Sequence, residues 1–175
     1  TYGVPDNNDE KQYVGRLDWQ ASSALRLFGR YFQAKYDRKP AYDGTNLLLT
    51  TGNGLGLDNR VQTMAAGADY TISSALLSST RVAMALSSVF RAQGDTLFNF
   101  SDLGSKMWSG ATTPGLSFYN MSVTNGFPGP AFPGVFKSNT VQISQDFDYI
   151  RDAHQFAAGA VWILPSLDAN GPFQN

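Results

Sequence analysis

Cysteine is absent from this 175-residue sequence, and histidine occurs once, at His154. Those two scarcities exclude disulfide scaffolds, cysteine nucleophiles, thiolate metal sites and His-rich metal clusters. Charge is thin as well. With 13 basic and 14 acidic residues the net charge is -1, and only 15% of positions are charged, so no basic stripe exists to hold phosphates and no nucleic acid is expected as a partner. Long apolar runs are missing too: candidates such as Ala83 to Leu86 are broken by Ser or Arg within a few positions, far short of the ~18 residues of a spanning helix. A helical membrane protein is thereby excluded. The length suits one ordinary domain. The sequence opens at Thr1 without Met and closes on the loop-like Leu167 to Pro172, which reads as a processed chain or, by preference, a piece of a longer one.

What the sequence does have is alternation. Six segments place apolar and polar residues with period two and are expected to be strands, at about 12–20, 24–36, 60–71, 79–91, 140–150 and 154–164. In the first, Tyr13, Gly15, Leu17 and Trp19 share a face opposite Arg16 and Asp18; in the second, Leu25, Leu27, Gly29 and Tyr31 oppose Arg26, Phe28, Arg30 and Phe32. The fourth is ambiguous. Val82, Met84, Leu86 and Phe90 alternate with Arg81, Ala83, Ala85 and Ser87, yet Val82, Leu86, Val89 and Phe90 also fall at helical spacing behind a Ser78 or Ser79 N-cap. Strand and helix both stand for 79–91.

The connections alternate as well. Short links at Ala21 to Ser23, Ile72 to Ser78 and Arg151 to Ala153 take turns with two long segments, 37–59 and 92–139, rich in Gly, Pro, Asn and Asp. Tight turns on one side and extended loops on the other are the pattern of a transmembrane β-barrel, whereas a long structureless loop counts against a soluble sandwich. Strands of about 9–13 residues also match the span of a tilted membrane strand. Trp19, Tyr70, Tyr149 and Phe156 sit near short turns on the apolar faces and are expected to form an interface girdle. The opposite faces carry Arg16, Asp18, Arg26, Arg30, Asp69, Arg81, Asp146 and Asp148, charges that suit a wet lumen wall and would be costly in a dry core.

Two stretches then resemble a known family. Tyr13-Val14-Gly15-Arg16-Leu17-Asp18-Trp19 followed by Leu27-Phe28-Gly29-Arg30-Tyr31, and Ile143 to Phe147 with Ile150-Arg151-Asp152-Ala153-His154-Gln155-Phe156 and Gly159, are similar to hairpins of TonB-dependent outer-membrane receptors, especially the Oar-like group with a carboxypeptidase-regulatory-like N-terminal domain. The resemblance covers about residues 10–164. It implies an all-β antiparallel meander of six long strands, a partial segment of a barrel of about 22 strands plugged by an N-terminal domain. It also implies import of a scarce ligand with energy delivered by TonB. Outer-membrane lipid would be one partner; the TonB complex would be another, reached through the rest of the full-length protein. The expected location is the outer membrane of a Gram-negative-type bacterium. The chain departs from the pattern in carrying neither plug nor TonB-contacting box, and in having Asp152-Ala153 where the family commonly has Gly and a basic residue.

Catalysis finds no support in the sequence. His154 has Ser144 and Asp148 nearby, but no G-x-S-x-G elbow accompanies them, and a turn residue is the expected role. Asp146 and Asp148 share a strand face as paired carboxylates would, or as an electrostatic ladder facing arginines. Asp37, Asp43 and Asp58 do not match the twelve-residue calcium loop. No catalytic, metal or cofactor residue is assigned. Phe98, Phe100, Trp108, Phe118 and Tyr119, with Phe127, Phe132 and Phe136, are candidate ligand contacts for a sugar or peptide, or pack the long loop on itself. The alternative to a receptor barrel is a secreted or surface β-sandwich binding module with aromatic carbohydrate-binding loops.

Overall fold

The computed structural model describes residues 7–42, 44–46, 49, 55–92, 98, 102–106 and 133–170. These residues build a single six-stranded sheet: β1 (Asn8–Gln20), β2 (Leu25–Arg38), β3 (Gly56–Ser73), β4 (Leu76–Ala92), β5 (Gly134–Arg151) and β6 (His154–Asn170). The strands lie in chain order, each antiparallel to the next. Sequential hairpins need no crossover, so this is the simplest topology the sequence allows. The segment 79–91, open between helix and strand in the sequence, lies in β4, where β3 and β5 complete its ladder from both sides. Val89 then falls on the opposite face from Val82, Leu86 and Phe90, which breaks the helical stripe.

Several boundaries move outward. β5 starts at Gly134 rather than Thr140, β6 runs to Asn170 rather than Leu164, and β3 starts at Gly56 rather than Arg60. Leu167 to Asn170, which looked loop-like, is therefore strand. Ala24, expected in the second strand, belongs to the turn, although its carbonyl still accepts a hydrogen bond from Thr71 N at 2.8 Å. The β3–β4 turn is only Ser74–Ala75, with a register irregularity between Thr71 and Ser73. The β5–β6 turn is Asp152–Ala153, and Asp152 takes a left-handed φ of 53°. Replacing Asp152 with Val, whose branched Cβ clashes in that region, should lower stability in urea titrations by about 1–2 kcal/mol, while Asp152→Gly should lower nothing.

The register sorts every side chain onto one of two faces. On one, Leu17, Gly29, Ala66, Val82, Ile143 and Trp162 form a continuous cross-strand row. On the other, Arg16 and Arg30 lead through Ala65 and Ala83 to Gln142. The first face is called outer here and the second inner. The outer face is apolar and uncovered: Leu17 is 76% exposed and Trp162 65%. Among the described residues the core reduces to Leu55 and the fully buried Pro133 at the bases of the two long connections. No second sheet packs on this one among the described residues, which overturns the sandwich alternative, since a sandwich would bury Leu27, Val82 and Trp162 against a partner layer.

The outer apolar surface is a band. It spans the rows from Val141 and Leu164 down to Tyr149 and Phe156. Eight residue steps amount to roughly 27 Å of strand, or ~21 Å along the membrane normal at a tilt of ~40°, close to the ~25 Å apolar belt of an outer-membrane barrel. Beyond the band β1, β2, β3 and β6 continue with mostly polar residues on their outer face, while β4 and β5 still carry Phe90 and Val135 there.

Candidate functional site

Within the band the inner face carries the charges, and one network there spans four strands. Arg16 forks onto Asp18, with Nε donating to Oδ2 at 2.7 Å and Nη2 to Oδ1 at 2.9 Å. Arg26 Nη2 donates to the same Asp18 Oδ1 at 3.2 Å. From the other side, Arg81 Nη2 donates to Asp69 Oδ1 at 2.6 Å, and Ser79 Oγ donates to that oxygen at 2.8 Å. A single ring joins the two halves. Phe28 lies 5.0 Å from the Arg16 guanidinium and 5.1 Å from that of Arg81, a cation–π contact with each. Gly67 makes this possible, because a Cβ there would overlap the Phe28 ring and stand 2.6 Å from Arg81 Cδ. Three guanidiniums on two carboxylates leave the network with an excess positive charge.

Of the eight charges read from the sequence, Arg30, Asp146 and Asp148 stand outside the network, without an ion pair or hydrogen bond among the described residues. All eight charges read from the sequence thus share the inner face, but they do not form one ladder. The carboxylates on β5 stand apart from the arginines of β1, β2 and β4, opposite Ser79 and Leu77. Next to Arg30 the inner face opens into a trough of about 290 Å³, floored by Ala65, Ala83 and Ala85 and walled by Arg30 and Phe32 on one side and Thr140 and Gln142 on the other. Small floor residues and donor-rich walls can cradle a polar molecule.

Other residues singled out in the sequence fall as follows. Trp19, Tyr70, Tyr149 and Phe156 all lie on the outer face toward the short turns, and Tyr149 and Phe156 are cross-strand partners with ring centroids 6.4 Å apart. His154 opens β6 on the outer side of the turn, its ring 6.3 Å from Phe156. Ser144 and Asp148 are on the inner face, so no triad can form with it. Asp37 and Asp58 face each other across β2 and β3, with Lys35 Nζ 3.7 Å from Asp58. Phe136 is not in a loop: it lies in β5 on the inner face, under the Arg91 guanidinium at 5.1 Å. Phe98 is partly exposed, while Phe100, Trp108, Phe118, Tyr119, Phe127 and Phe132 lie outside the described residues.

Sequence reasoning missed two arrangements. Within the apolar band, Thr80 Oγ1 donates to Gln145 Oε1 at 2.5 Å and Gln145 Nε2 donates to Ser78 Oγ at 2.8 Å. This polar island on the outer face satisfies its own hydrogen bonds, as lipid exposure demands. β6 is also apolar on both faces, with Val161, Ile163 and Leu167 on the inner side.

A sheet with one uncovered apolar face of membrane height and one charged face is stable only where lipid meets the first and water the second. Comparison with protein families agrees: the model for an outer membrane beta barrel domain matches residues 1–175. The chain belongs to that family. Its six strands are therefore barrel wall in the outer membrane, with the outer face in lipid and the inner face toward the lumen. In barrels of this kind tight turns face the periplasm, and the tight turns here are the β1–β2 turn, Ser74–Ala75 and Asp152–Ala153. Searches of curated proteins and of solved structures give no match.

Proposed function

We propose that this segment lines the uptake path of a TonB-dependent outer-membrane receptor, importing a scarce ligand of sugar or peptide class rather than catalysing a reaction. The observation that carries the reading is the lumen face itself, where the unpaired Arg30 overhangs a donor-lined trough beside a pre-assembled Arg–Asp–Phe28 network. Fixed, paired charges hold the wall rigid, and Arg30 is left over to meet an acceptor on the ligand. The hairpin resemblance over Tyr13–Tyr31 and Ile143–Gly159 adds the energy source, TonB engaging a plug in the full-length protein.

The test uses cells carrying the full-length protein and a panel of tritiated oligosaccharides and short peptides. Uptake of at least one member should fall to background when a protonophore collapses the inner-membrane gradient. Arg30→Glu should lower uptake roughly tenfold, the effect of losing one charge-assisted hydrogen bond, at unchanged barrel content. Protonophore-insensitive uptake would mark a passive pore and sink the reading, as would transport of no member of the panel.

A further inference from the structure

The outer face changes character in layers above the apolar band. The row at its edge is Tyr13, Gln33, Gln62, Leu86, Asn139 and Ser166. One row farther out come Lys11, Lys35, Arg60, Ser88, Lys137 and Asp168, and beyond these Asp9, Asp37 and Asp58 face one another on β1, β2 and β3. Four cations thus ring this wall one step outside the hydrocarbon, at the depth of lipid headgroups, with Asp168 level with them and three carboxylates set farther from the membrane. Lys35 is occupied by Asp58 at 3.7 Å, whereas Arg60 and Lys137 make no ion pair or hydrogen bond among the described residues. Between those two the surface dips into a pocket of about 270 Å³, with Leu86 at its membrane edge, Ser88 and Asn139 within it and Asp168 at its far side.

We propose that this pocket holds the phosphate headgroup of an outer-leaflet lipid. Arg60 on β3 and Lys137 on β5 are separated by one strand, so their backbones stand roughly 9–10 Å apart, and two long side chains can close on one phosphate from both sides. Arginine offers a planar fork and lysine a point charge, a combination suited to phosphate oxygens, while Asn139 and Ser88 add neutral hydrogen bonds. The acyl chains follow from position. The pocket opens over Leu86 onto the apolar rows of Met84, Val141 and Leu164, where a lipid bound by its headgroup lays its tails. A free phosphate would gain nothing from that apolar floor. Asp168, opposite Lys137 in the register, sets a limit on affinity by repelling the anion. This inference needs the outward orientation of the apolar face and tight turns on the periplasmic side, and is independent of the transport reading.

Native mass spectrometry of the detergent-solubilised full-length protein supplies the test, with phosphatidic acid as probe and diacylglycerol of the same chains and inorganic phosphate as comparisons. Phosphatidic acid should be retained and diacylglycerol lost. The Arg60→Gln/Lys137→Gln double variant should bind phosphatidic acid at least tenfold more weakly, because two charge-assisted contacts go, and Asp168→Asn several-fold more tightly. Lys106→Gln, a cation that does not line the pocket, should change nothing. Equal retention of diacylglycerol would reduce the site to apolar adhesion, and full competition by inorganic phosphate would make it a soluble-anion site; either result overturns the proposal. So would unchanged binding by the double variant or by Asp168→Asn, the latter deciding the matter should the double variant fail to fold.

Discussion

Ile143→Arg should destabilise the membrane-embedded barrel by about 2–4 kcal/mol, whereas Gln142→Arg, one residue earlier on the same strand, should stay within about 0.5 kcal/mol. The contrast comes from the register. Ile143 sits on the outer face between Val82 and Trp162, inside the apolar band, where a guanidinium has neither water nor a carboxylate to meet. Gln142 lies between Ala83 and Ile163 on the inner face, at the wall of the trough, where water hydrates an added charge. Both substitutions leave the backbone ladder of β5 intact, so any difference reports the environment of the face and not the propensity of the strand. Guanidinium titrations of the full-length protein in lipid vesicles, followed by tryptophan fluorescence, measure it. Equal costs at the two positions would mean that the faces are not divided between lipid and water.

The sequence made that division legible because, within the band, most positions of β1, β2, β4 and β5 follow one rule: apolar outward, polar inward. Leu17 against Asp18, and Val82 against Arg81, announce both the strand and its orientation. Outside the band the rule lapses. Ser166, Asp168 and Asn170 are polar on the outer face while Leu167 and Ala169 turn inward, so the alternation inverts and the ends of β5 and β6 looked like loop although their ladder continues. Segment 79–91 stayed open between strand and helix for another reason: a strand's evidence is its neighbours, and a single segment shows none of them. The cation row of Lys11, Lys35, Arg60 and Lys137 is hidden more deeply, since its members are scattered over more than a hundred positions of sequence and meet only when four registers are known. The same holds for the lumen network. Arg16 and Asp18 are visible as an i, i+2 pair, but nothing local connects Phe28 with Gly67 and Arg81.

That connection predicts a second large effect. Gly67→Val should cost about 1–3 kcal/mol, the usual penalty of overpacking, even though it replaces glycine with a good strand former whose intrinsic preference would favour β3. The added Cβ takes the place of the Phe28 ring and crowds Arg81 Cδ at 2.6 Å, so the ring must lift and release both guanidiniums. Asp69 then loses the geometry that brings Arg81 Nη2 to 2.6 Å. The decisive measurement is the double variant. Phe28→Ala alone removes the cation–π contacts, but in a Phe28→Ala background the flexible Arg81 side chain can swing into the vacated ring space, and Gly67→Val should then cost little. Residues in direct contact are expected to deviate from additivity by about 0.5–3 kcal/mol. Strict additivity of the two substitutions in guanidinium titrations would show that the ring does not rest on Gly67, and the four-strand network would lose its central link.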